Sequence, residues 1–84
     1  LIGTNGVSAE FGLSTPDPDE ASIKAAIVRA ARTVVVVADA SKLGRELLVT
    51  FGRLDDIDVL VTDAPPPAAL AAALADAGVE VWIA

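Results

Sequence analysis

Along the 84 residues the apolar positions fall into two kinds of block: short solid runs, and longer stretches where they recur every three or four residues. Residues 34–38 (VVVVA) are the densest run. Apolar on both faces and rich in β-branched side chains, they predict a central strand of a parallel sheet rather than a half-exposed one. Residues 58–63 (DVLVTD) and 79–84 (VEVWIA) predict two further strands, residues 47–51 (LLVTF) another, and the opening LIG reads as the end of a strand running into a Gly3-Thr4-Asn5-Gly6 turn. The segment that follows, through VSAEFGLSTP, reads as loop.

The helical period appears twice. Asp17 as N-cap, Pro18 at the first helical position and Glu20 closing a capping box predict a helix running to about Ala31. Ile23, Ile27 and Ala30 share its expected buried face with Ala26 beside them, and Lys24 and Arg29 point to water. Residues 64–78 predict a Pro-initiated helix with Leu70 and Leu74 one turn apart and Gly78 closing it. Strand, helix, three strands, helix and strand in that order imply an α/β sheet with right-handed crossovers.

Composition narrows the function. Hydrophobic residues make up 54% of the chain, but 17 of these 45 are alanine, so the core rests mainly on valine, leucine and isoleucine. That is one domain with a thin margin, because a chain of this size hides only about 60% of its unfolded surface. The net charge of −6 argues against this segment gripping a phosphate backbone. With no Cys and no His, disulfides, thiol chemistry, zinc sites and imidazole acid/base catalysis are excluded, and the lack of cysteine suits the cytosol. No apolar run approaches the ~20 residues that span a bilayer. The chain has no Met and opens as though already inside a strand, so it is read as a piece of a longer protein.

In open α/β sheets, ligands bind outside the carboxyl ends of the strands. Three polar groups are expected there: Gly3-Thr4-Asn5-Gly6, Asp39-Ala40-Ser41-Lys42 and Thr62-Asp63. Asp39 offers a carboxylate to sugar hydroxyls, Ser41 donates or accepts, Lys42 is a point charge for a phosphate, and Arg45 assists if the turn brings it round. The plainer alternative is that Asp39 and Ser41 cap a short helical turn with Lys42 in solvent, and that Asn5 serves only its turn. LDDID, residues 54–58, offers three carboxylates but reads as a solvated loop rather than a Mg²⁺ site; no metal or cofactor is expected.

Taken together, Gly3, Asn5 and Gly6, then Gly12-Leu13-Ser14-Thr15, Glu20, Asp39-x-Ser41-Lys42-Leu43-Gly44 and the stretch from Asp56 to Asp63 resemble the C-terminal half of the effector-sensing domain of DeoR-type transcriptional regulators. The resemblance implies a Rossmann-like, mostly parallel sheet with flanking helices, related to the sugar-phosphate isomerases of the ribose-5-phosphate isomerase type. It implies a phosphorylated sugar as effector, held by Gly3, Asn5, Gly6, Thr15, Asp39, Ser41 and Lys42. DNA contacts belong to an N-terminal winged helix-turn-helix that this sequence lacks, as it lacks the first half of the sensor. Ser14 stands where Thr is common and Leu43 where an aromatic is common. The leading reading is a non-catalytic, cytoplasmic, homo-oligomeric sensor with no membrane partner. The alternatives are an isomerase-like enzyme, with Asp39 or Glu20 as base and Lys42 stabilising an oxyanion, and an interaction module without ligand.

Overall fold

The computed structural model describes residues 1–84 throughout. In chain order it contains β1 (Ile2–Gly3), β2 (Gly6–Ser8), β3 (Gly12–Thr15), α1 (Pro18–Ala30), β4 (Val35–Val37), β5 (Val49–Gly52), β6 (Val59–Thr62), α2 (Ala68–Asp76) and β7 (Glu80–Ile83). Short 3-10 turns occupy Ala40–Lys42 and Leu54–Asp56. Four strands form an all-parallel sheet in the order β1-β4-β6-β7, and β2-β3-β5 form a smaller antiparallel sheet. The chain is thus α/β with a parallel sheet and two helices, as the element pattern implies.

Strand order in the parallel sheet rises steadily along the chain. Crossovers between parallel strands are right-handed almost without exception, so a sheet that always advances in one direction carries all its connections on one face. Burial follows this rule. Ile2, Val36 and Leu60, which share a register and point the same way, are buried in one core cluster with Leu70 and Leu74 of α2 and Val7, Leu13 and Phe51 of the antiparallel sheet. Val35, Val59 and Val61 on the opposite face are half-buried, and Val37 and Trp82 are exposed. The valine run is therefore central, as expected, but not covered on both faces.

Three other expectations change. The segment taken as loop after Gly6 is the β2-β3 hairpin, whose buried serines are satisfied by backbone amides: Ser8 Oγ accepts from Phe11 N (2.9 Å) and Ser14 Oγ from Leu47 N (3.1 Å). The strand expected at 47–51 begins two residues later and joins the antiparallel sheet. The antiparallel register is tight at Gly6, where an added Cβ would meet the Arg45 carbonyl oxygen at 2.6 Å and Ser14 Oγ at 2.7 Å.

The third change concerns α1. Asp17 caps it as expected, accepting from Asp19 N (2.9 Å) and Glu20 N (3.4 Å). Glu20 does not return to the cap; its carboxylate pairs with Lys24 (2.6 Å), and Asp17 N donates instead to Thr15 Oγ1 (3.4 Å). The docked side of the helix is Ala21, Ala25 and Val28, while Ile23, Ile27 and Ala30 face outward. Lys24 is not in water. Its side chain is 19% exposed, donates to the Gly3 carbonyl (2.8 Å) and lies 5.4 Å from the centre of the Phe51 ring.

Helix α2 ends as its sequence predicts. Gly78 takes φ +79°, Gly78 N donates to the Ala75 carbonyl (3.0 Å) and Val79 N to the Leu74 carbonyl (2.9 Å), the paired bonds of a Schellman motif. Leu70 and Leu74 are buried against the core that includes Leu54, Ile57 and Leu60.

Candidate functional site

Parallel register brings the carboxyl tips of three strands together: Gly3 lies beside Val37 and Val37 beside Val61. Beyond those tips come Thr4-Asn5, Ala38-Asp39 and Thr62-Asp63. A small recess of about 170 Å³ opens there, lined by Val37, Ala38, Asp39, Val61, Thr62, Asp63 and Ala84. It is smaller than the ~300 Å³ at which small-molecule pockets begin and has no room for a whole sugar.

The turn after β4 is built by carboxylates. Asp39 Oδ1 accepts from Ser41 N (2.9 Å) and also from the Ser41 hydroxyl, capping the 3-10 turn at Ala40–Lys42. Asp63 Oδ1 reaches across from the end of β6 to accept from Ala40 N (2.7 Å). One side of the turn is thus fixed locally and the other by the neighbouring strand. The Ser41 hydroxyl and amide beside Asp39 hold its carboxyl below its ordinary value against an opposing effect of desolvation, with smaller help still from the charges of Lys42 and Arg45.

The residues singled out from sequence divide into two sets. Gly3, Asp39 and Ser41 are exposed at the tips, and Asn5 and Lys42 are half-buried beside them. Thr15 is fully buried, with its hydroxyl donating to Asn5 Oδ1 (3.3 Å) and accepting from Asp17 N. Gly6 is buried against the backbone of Arg45. These two fix the Asn5 loop and the start of α1, and act on the tips only through them.

Two tip residues carry more than their sequence context suggests. Asp63 positions the Asp39–Lys42 turn, a bond across 23 positions that local pattern does not reveal. Thr62 is 2% exposed and lines the recess, and its Oγ1 is the one buried side-chain polar atom in the chain without a hydrogen-bond partner. A buried hydroxyl without a partner is costly, and Thr62 therefore carries a local energetic penalty at the end of β6.

The carboxylates of LDDID are engaged locally: Asp56 accepts from Arg53 N (2.9 Å), Asp58 from Val34 N (2.7 Å), and Asp55 pairs with Arg53 (3.3 Å). Asp56 and Asp58 border a larger cleft of about 580 Å³ at the amino ends of β4 and β6, the opposite end of the sheet from the tips. No helix in the chain is long and apolar enough to cross a membrane.

Comparison with known proteins places these features in context. Residues 1–64 match the family model described as the DeoR C terminal sensor domain. The chain is 45% identical over 81 residues to the HTH-type transcriptional regulator GlpR of Haloferax volcanii, covering 96% of this chain and 32% of that protein. It is 36% identical over 76 residues to the glycerol-3-phosphate regulon repressor of Escherichia coli K12, covering 90% of this chain and 30% of that protein. It is 34% identical over 83 residues to the HTH-type transcriptional repressor GlcR of Bacillus subtilis 168, covering 99% and 32%. The chain therefore spans about a third of the length of these relatives.

Proposed function

The chain belongs to the DeoR family of transcriptional regulators through its C-terminal sensor domain, and from that premise we propose that it senses a phosphorylated sugar or polyol for a longer repressor. DNA is contacted by a helix-turn-helix outside these 84 residues, and the regulator works in the cytoplasm, where its operators are. The effector binds at the carboxyl tips of β1, β4 and β6. Lys42 takes the phosphate, the Asn5 amide N–H donates to a hydroxyl or phosphate oxygen, and the Ser41 oxygen, whose own proton goes to Asp39, accepts from a sugar hydroxyl.

One observation carries this reading above the others: Asn5 and the Asp39-Ser41-Lys42 turn follow the carboxyl ends of two neighbouring parallel strands, with Asp39 lining a small recess there. The size of the recess agrees with a pocket whose remaining walls come from the rest of the sensor domain. The name of the Escherichia coli relative suggests glycerol 3-phosphate as a first candidate among small phosphorylated polyols. The sheet is taken as the second half of a Rossmann-like sensor akin to the sugar-phosphate isomerases.

An isomerase-like activity is not favoured. Asp39 is held in its charged form by the Ser41 donors, which makes it a poor proton acceptor near neutrality, and Glu20 is committed to Lys24.

The test is thermal denaturation of the complete regulator against glycerol 3-phosphate, hexose phosphates and their unphosphorylated counterparts, with Lys42→Ala as control. A ligand at a hundred times its Kd stabilises the native state by about 2.7 kcal/mol. The expected result is a shift with one phosphorylated compound that Lys42→Ala removes. A cooperative melt that no compound moves sinks the reading.

A further inference from the structure

Three of the chain's six basic residues and both of its phenylalanines line one cleft, the one of about 580 Å³ at the amino ends of β4 and β6. It opens along the seam of the two sheets, between the end of α1, the end of β5 and the residues that lead into β4 and β6. Buried Val28, Val34 and Phe51 give it an apolar wall, and Phe11, between β2 and β3 and 42% exposed, adds a second ring. Arg29 comes from the last turn of α1, Arg32 from the link to β4 and Arg53 from the position after β5. The chain's two ion pairs are Lys24–Glu20 and Arg53–Asp55, so Arg29 and Arg32 have none. The Arg53 pair, at 3.3 Å, joins two exposed side chains and holds weakly.

Two carboxylates, Asp56 and Asp58, share the lining, but each spends an oxygen on a backbone amide, that of Arg53 (2.9 Å) and that of Val34 (2.7 Å). The C-terminus of α1 adds about half a negative charge, against the two full charges of Arg29 and Arg32. The volume lies within the range of small-molecule sites, and an apolar wall with a few polar groups is their usual make-up. Guanidinium groups match carboxylate and phosphate with two parallel hydrogen bonds, and they also stack on flat rings. We propose that this cleft is a second ligand site, taking a small organic anion with a planar ring. The anionic group lies on Arg29 and Arg32, the ring against Phe11 and the apolar wall, and any hydroxyl or amino donors on the ring reach Asp56 and Asp58. An inorganic anion is too small to use the wall, and an uncharged ring leaves the arginines unmet. The site stands at the opposite end of the sheet from Lys42, and the inference does not depend on the effector reading.

Isothermal titration calorimetry of the complete regulator tests this with phenyl phosphate, benzoate and adenosine monophosphate as ring-bearing anions, and with inorganic phosphate and adenosine as partial probes. At least one ring-bearing anion is expected to bind roughly tenfold or more tightly than either partial probe. Which of the three it is separates phosphate from carboxylate, and a bare ring from one that carries donors. Arg29→Gln together with Arg32→Gln should weaken that binding roughly ten- to hundredfold, the loss expected for hydrogen bonds to a charged group. Phe11→Leu, which keeps an apolar side chain and removes the ring, should weaken it roughly two- to tenfold. Lys42→Ala should leave it unchanged, which separates this site from the one at the strand tips. Arg29, Arg32 and Phe11 are exposed, and circular dichroism identical to the parent confirms that each variant folds. The proposal is overturned if none of the three anions binds with a Kd below about 1 mM, if the arginine or Phe11 variants bind as the parent does, or if Lys42→Ala abolishes the binding.

Discussion

Asp39 shows how a residue can be legible in sequence while its job is not. A carboxylate at the end of a valine strand suggested a ligand contact, and the turn it heads does follow the strand tip; its oxygen is occupied by Ser41, the capping role that the sequence also allowed. The bond has a pH signature. A carboxyl whose folded value lies below its ordinary value stabilises the fold above about pH 3.9, and that contribution is lost as pH falls through the lowered value. The melting temperature of the parent should therefore exceed that of Asp39→Asn by a constant amount from pH 5 to 8, and the gap should close under acid. A gap that stays open below pH 3 would mean the effect is not ionic. Sequence places Thr62 and Asp63 at a strand tip, but not their surroundings: the bond of Asp63 to Ala40 N joins the ends of two strands, and the unmet hydrogen bond of Thr62 exists only once the fold is built.

Among the elements, those written in β-branched runs or in cap chemistry were readable: β4, β6, β7, the Asp17 start of α1 and the Gly78 stop of α2. The β2-β3 hairpin was not, because Gly6, Ser8, Gly12, Ser14 and Thr15 are poor strand signals and are buried through side-chain hydrogen bonds rather than apolar contact. Helix α1 misled differently. It is apolar on two faces, and the larger isoleucines outweigh the alanines in any periodicity argument, although small residues are what allow the close docking that the fold uses. Helix α2 is alanine nearly all round and is oriented by its two leucines, Leu70 and Leu74, the large side chains it buries. Truncating Leu74, fully buried beneath it, to alanine should cost about 2–5 kcal/mol, measured by urea denaturation. A loss under 1 kcal/mol would show that α2 contributes little to the core.

At the scale of the whole molecule, the steadily rising strand order determines more than topology. With every crossover on one side, the sheet presents Val37 and Trp82 to solvent beside the half-covered Val35, Val59 and Val61. What keeps such faces apart in solution is mutual repulsion between chains that each carry a charge of −6. That protection has a definite limit, since it vanishes near the isoelectric point of about 4.2, where only short-range attraction between bare sheets remains. Turbidity should therefore peak near that pH and persist in moderate salt, while the uncharged change Trp82→Ser lowers the peak without moving it. The valines that make β4 a good strand thereby also make the molecule's colloidal stability a function of its acidic surface.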